Sequence, residues 1–248
     1  MKRLILMFGM ILATTAAPLL AQEAASEEEE KEPKWKGSLG LAWVATSGNT
    51  DTSSIGLDFG LESKPEPWGF KFAARGNRAD DQGALTAENY FASARAVRTL
   101  SNRWDVFGEL AWMKDPFAGF DSQSVTSAGA TYKAIESERH LLTFDMGLAY
   151  TWEDRIPPEG DVDFAGGLLG LAWEWKLGAS SKLIERLVFL PNFDDSADWR
   201  LNSITAIEAA INEWLALRFG YDIRHRNQPI GDADGTDTTS TASVVFNF

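Results

Sequence analysis

The sequence predicts an all-β fold, a transmembrane antiparallel β-barrel of about twelve strands of the outer-membrane type. Three observations carry this. Apolar residues recur at every second position in segment after segment from Trp35 onward. The positions between them mix glycine, alanine and serine with charges of both signs. The chain finishes on an apolar, alternating pentapeptide, "VVFNF" at 244–248. A period of two places one set of side chains on each face of a strand. A soluble β-sandwich alternates as well, but it turns its polar face to bulk water and has little use for a crowded, glycine-rich one. A barrel with lipid outside and a packed, wet lumen inside accounts for both faces.

Before the strands come two segments of different character. Residues 1–21 combine Lys2 and Arg3, an apolar run from Leu4 to Ala13 and small residues up to Ala21, the pattern of a secretory signal peptide cleaved after Ala21. The run is too short for a spanning helix, which needs about 20 apolar residues, and no later stretch comes near that length. Residues 22–34, "QEAASEEEEKEPK", are acidic and lack any apolar period, as expected of a disordered leader. The barrel then occupies residues 35–248.

Taken in order, the expected strands are 36–46, 53–63, 68–78, 86–98, 103–113, 123–134, 140–152, 165–177, 182–192, 198–210, 213–224 and 238–248. In the first, Leu39, Leu41 and Trp43 oppose Ser38, Gly40 and Ala42. In the second, Ile55, Leu57, Phe59 and Leu61 oppose Gly56, Asp58, Gly60 and Glu62. Polar-face charges then mark most of the others: Lys71 and Arg75 in the third, Glu88 in the fourth, Asp105 and Glu109 in the fifth. The seventh sets Phe144, Met146, Leu148, Tyr150 and Trp152 against Thr143, Asp145, Gly147, Ala149, Thr151 and Glu153. Glu174 and Lys176 follow in the eighth, Arg200 and Glu208 in the tenth, and Arg218, Asp222 and Arg224 in the eleventh. The last sets Val244, Phe246 and Phe248 against Val245 and Asn247, and pairing it with the first strand removes the sheet edge that lipid cannot solvate.

An even strand count leaves both termini at one end, which in an outer-membrane barrel is the periplasmic end. The connections at that end, "SKPEP", "TLSN", "IESER", "GASSK" and "IN", are short; those at the other are longer and acidic, with Asp115, Glu153, Asp194, Asp195 and Asp198 among their acids. Long extracellular loops and short periplasmic turns are what this orientation requires. Tryptophans fall into two girdles, Trp35, Trp68, Trp104 and Trp214 at the inner ends and Trp43, Trp112, Trp152 and Trp199 at the outer ends. Trp173 and Trp175 lie inside a strand, and Trp214 has the parity of the lumen residue Arg218; both stand outside the pattern.

Composition excludes several functions. The formal charge of −13 disfavours nucleic acid as a partner. The absence of cysteine removes disulfides, thiolate nucleophiles and cysteine metal sites. The only two histidines are His140 at the inner end and His225 at the outer rim, too far apart to share a site, so no catalytic residues and no cofactor are expected. His225 with Asp194 or Asp195 offers a rim hydrolase in residue types alone. The loop acids Asp194, Asp195, Asp198, Asp232, Asp234 and Asp237 are weak candidates for divalent cations, because "DADGTD" lacks the distal bidentate glutamate of a calcium loop. Such cations would bridge the rim to lipopolysaccharide.

Three stretches resemble the YdiY-like, salt-induced outer-membrane protein family, also termed domain of unknown function 481: "WKGSLGLAWVATSGNTDT", "ERLVFLPNFDDSADWRLNS" and "TDTTSTASVVFNF". The likeness runs from about Trp35 to Phe248. It implies a Gram-negative outer-membrane barrel, structural or tied to salt or acid stress, and no defined chemistry. The terminal Phe246 and Phe248 resemble the signal read by the barrel-assembly machinery. The alternative reading is a narrow, cation-preferring channel, and a monomer embedded in lipid is expected in either case.

Overall fold

The computed structural model describes residues 35–48, 52–81 and 84–248. The expected signal peptide and leader, together with Asn49, Thr50 and Asp51 of the first outer loop, lie outside the described residues. Twelve strands close into one antiparallel barrel in simple neighbour order. They are β1 (Trp35–Ser47), β2 (Thr52–Ser63), β3 (Trp68–Asp81), β4 (Ala84–Thr99), β5 (Trp104–Asp115) and β6 (Phe120–Glu136). The second half is β7 (His140–Arg155), β8 (Val162–Lys176), β9 (Ser181–Pro191), β10 (Trp199–Ala210), β11 (Leu215–Arg226) and β12 (Thr236–Asn247). Among the described residues no helix is long and apolar enough to cross a membrane; the only helical turn there is Pro116–Ala118.

β12 closes on β1 with Leu39 opposite Phe246 and Leu41 opposite Val244. Phe248 extends the closure beyond the last strand residue by exchanging main-chain hydrogen bonds with Gly37, at 2.8 and 3.0 Å. A side chain on Gly37 would occupy the space taken by the Phe248 ring. The faces are those the sequence predicts: Val245 is fully buried inside, while Val244 and Phe246 face outward. Leu148 is 67% exposed and Ile55 76%, so the exterior is an apolar surface that only lipid or another apolar phase can cover.

Several strands run past the apolar band, and this corrects the loop assignments. β7 extends to Arg155 and β5 to Asp115, so Glu153 keeps the lumen face that its parity with Thr151 gives it and is no loop acid, and Asp115 is likewise a wall residue aimed into the lumen. Both are buried, as is Asp198 in the loop after β9. Glu88 is also corrected. In register with Arg78 it shares the face of Tyr90 and Trp112, and it stands on the exterior of the rim, bound to Arg78 at 3.4 Å and Lys114 at 3.2 Å.

The tryptophans that stood outside the pattern now fit it. Trp214 belongs to the turn before β11, where strand parity has no meaning, and its ring stacks on Phe246 at 6.1 Å. Trp173 and Trp175 face outward near the end of β8 and stack with each other and with His140. They complete the aromatic belt at the end that carries Trp35 and Phe248.

Candidate functional site in the barrel lumen

Inward side chains from opposite walls meet across the lumen. β5 and β11 are six places apart in the ring of twelve, diametrically opposed. Even so, Arg224 Nη2 donates to Asp115 Oδ2 at 2.7 Å, and Arg224 Nη1 reaches Met113 Sδ at 3.3 Å. Asn89 donates to the same carboxylate at 2.7 Å from β4. The other Asp115 oxygen accepts the Ala118 main-chain N–H, which ties the bridge to the helical turn at the barrel mouth. Arg75 of β3 reaches Asp222 of β11 at 3.1 Å, and Arg218 of β11 reaches Asp58 of β2 at 3.4 Å.

Beside the first bridge, Glu153 is enclosed by its partners. Arg226 binds it as a fork, Nη1 to Oε2 at 3.0 Å and Nη2 to Oε1 at 2.8 Å. Arg155 donates at 2.8 Å, Gln123 at 2.6 Å, and Arg200 lies 3.4 Å away. Asp198 joins from the loop, 3.4 Å from Arg200 and 3.6 Å from Arg226, and it also accepts from Asn192. Three arginines thus share two carboxylates, and the planar guanidinium fork suits this role because it holds both oxygens of one acid.

Toward the other end Arg95 serves as a hub. It reaches Glu109 at 3.1 Å and Asp145 at 2.9 Å while its guanidinium lies 3.7 Å from the centre of the Phe107 ring. Phe107 packs with Val97 and Leu168, and Val188 and Leu190 complete an apolar cluster inside the barrel. A cavity of about 430 Å³ remains along the lumen, lined from Asp115 and Arg224 at the far end to Asp58, Arg95 and Arg218.

The candidates read from the sequence separate in space. His225 faces outward, hydrogen-bonded to Thr236 at 2.8 Å and packed on Trp199, so it makes no pair with Asp194 or Asp195. Asp195 accepts its own turn's Ala197 N–H, and the Asp194 N–H is held by Asn192. Asp198 belongs to the Glu153 cluster, and Asp237 lies inside β12, 4.0 Å from Arg224. Asp232 and Asp234 remain in the loop after β11. Among the described residues no three acidic or histidine side chains converge as a metal site. Arg95, Gln123, Arg155 and Arg226 are lumen residues that the reading of the sequence does not single out. Strand parity alone is enough to place Arg95 beside Ser93 and Val97 on the inner face.

The family described as "Protein of unknown function, DUF481" matches residues 38–248. The chain belongs to the DUF481 family. Within DUF481 it is similar to the uncharacterized protein YdiY of Escherichia coli (strain K12), 23% identical over 214 residues that cover 86% of this chain and 83% of YdiY. Among solved structures, the NanC porin is similar at a TM-score of 0.57 and 10% identity, covering 84% of this chain and 98% of that one. The translocator domain of the autotransporter NalP from Neisseria meningitidis is similar at 0.52 and 10% identity, covering 89% and 90%. At such identities the likeness establishes the barrel fold of this DUF481 chain as that of outer-membrane proteins and says nothing of what it passes or binds.

Proposed function

We propose that this DUF481 barrel is an envelope protein of the Gram-negative outer membrane whose lumen is held shut by ion pairs, so that it contributes a low-permeability wall rather than an open pore. The observation that carries this is the Asp115–Arg224 bridge between diametrically opposed strands at 2.7 Å. An open channel needs a continuous water path, and side chains meeting on the axis interrupt one. In this reading the termini are periplasmic and the acidic loops extracellular, which the short turns at the terminal end support. Divalent cations between those loops and lipopolysaccharide, and recognition of Phe248 by the assembly machinery, belong to the same reading. The protein is held to be no enzyme, since His140 at the start of β7 and His225 near the end of β11 lie at opposite ends of the wall. A role in salt or acid stress fits partly exposed pairs such as Arg75–Asp222, which added salt weakens.

The second reading, a narrow channel, is favoured by the cavity of about 430 Å³ that runs along the lumen. Planar-bilayer conductance of the refolded protein separates the two. The closed barrel predicts no steady conductance for the wild type and steps for the double variant Arg224→Ala with Arg75→Ala, which opens two of the cross-lumen bridges. Stable wild-type channels, cation-selective in a salt gradient, would establish the second reading instead.

A further inference from the structure

The exterior of the barrel carries one acid that its surroundings do not explain. By register Glu185 lies opposite Trp173 on one side and Thr205 on the other, and both face outward. Apolar residues flank it in depth, Leu183 and Ile207 toward the terminal end and Leu187, Phe189 and Leu201 toward the far end. The other outward-facing acidic and basic side chains among the described residues lie at the strand ends, as Arg98 does beside Trp68 and Lys114 beside Glu88. Among the described residues Glu185 has no cationic partner; Ser203 donates to it at 3.2 Å and Thr205 at 2.6 Å. Ionisable groups at membrane depth are costly and are normally covered by protein.

Two strands along the same lateral row stands Tyr221, opposite Thr205 and 46% exposed, with its hydroxyl making no hydrogen bond among the described residues. Acceptor and donor therefore flank β10, Glu185 on β9 and Tyr221 on β11. We infer that β9, β10 and β11 form the interface of a homodimer, in which the Glu185 carboxylate of each copy accepts a hydrogen bond from the Tyr221 hydroxyl of the other. A two-fold axis along the membrane normal beside β10 sets β9 of one copy against β11 of its mate, and the patch is then self-complementary, as a two-fold contact requires. Ser203 and Thr205 supply short side chains at the point of closest approach, where bulk would hold two barrels apart. A phospholipid ammonium would satisfy Glu185 alone, whereas a second copy satisfies Glu185 and the Tyr221 hydroxyl together. This proposal departs from the monomer expected from the sequence.

The chain contains no cysteine, so single cysteines report contact cleanly. In isolated outer membranes oxidised with copper-phenanthroline, Thr205→Cys should cross-link to a dimer at least tenfold faster than Leu110→Cys, an outward residue of β5, five places from β10 in the ring. Native mass spectrometry of the detergent-extracted wild type should show a dimer, and Tyr221→Phe and Glu185→Leu should each lower its fraction at least tenfold. Tyr221→Phe removes a hydroxyl that the fold does not use, so heat-modifiable migration of that variant should match wild type. Equal cross-linking at the two positions, a wild-type monomer with or without a retained aminophospholipid, or a dimer indifferent to Tyr221→Phe would each overturn the interface.

Discussion

Glu153 and Glu185 project from β7 and β9 of one wall to its opposite faces, and the protein satisfies them by opposite means. Inside, Glu153 is enclosed by Arg155, Arg200, Arg226 and Gln123 and is 1% exposed. Outside, Glu185 has two hydroxyls and, among the described residues, no cation. The curvature of the barrel accounts for the difference. Concave walls bring side chains from strands three to six places apart within reach of one another, whereas convex walls splay theirs away. A charge in the lumen can recruit partners from the same chain, and a charge on the outside must find them on the adjacent strand or on another molecule.

Breaking the inner side of this comparison should have the largest effect. Glu153→Ala takes the shared carboxylate from Arg155, Arg200 and Arg226, of which Arg200 is buried, and leaves only Asp198 to Arg200 and Arg226; removing one partner of a buried ionic cluster costs about 3–5 kcal/mol. Urea titration of the folded fraction in lipid vesicles, read by heat-modifiable migration, should show that loss, and a change under about 1 kcal/mol would mean that water compensates the cluster. Next comes the seam between the faces. Deleting Phe248 removes both hydrogen bonds to Gly37 and the ring that covers it, so the inserted fraction in cells should fall severalfold. An unchanged yield would show that closure ends at Phe246.

The outer side should respond in the reverse sense. Glu185→Leu takes an acid off the apolar face, where even a basic residue costs roughly 2–4 kcal/mol at the midplane and an acid less. In vesicles dilute enough in protein to hold wild type and variant as monomers, the folded state should therefore gain about 1 kcal/mol by the same titration, and a loss as large as that of Glu153→Ala would abolish the contrast. The smallest effect belongs to Asn247→Ser, because Asn247 bonds Trp214 through its main-chain N–H and not its side chain. Its stability should stay within about 0.5 kcal/mol of wild type.

Much of the fold is legible in the residues. Twelve alternating segments, the tryptophan girdles and the terminal "VVFNF" lead to the barrel, its closure and the common end of its termini. The inner face of β7 and the outward Val244 and Phe246 follow from parity alone. Parity fails where a strand ends. It misplaces Trp214 because a turn separates that residue from β11. Glu88 needs the register that puts it beside Arg78 and Lys114 before its face can be assigned. Asp115 reads as a loop acid, and Glu153 as both an inner-face residue and a loop acid, because nothing in a string of residues shows how far a strand continues beyond the apolar band.

The sequence by itself determined which side chains face lipid and which face the lumen along most of each strand, since a period of two is a local property of an extended backbone. Only the tertiary structure decided which of the inward charges meet. Asp115 and Arg224 are 109 residues apart. What brings them within 2.7 Å is the closing of the sheet, whose strand number and stagger fix which opposite walls lie level across the lumen.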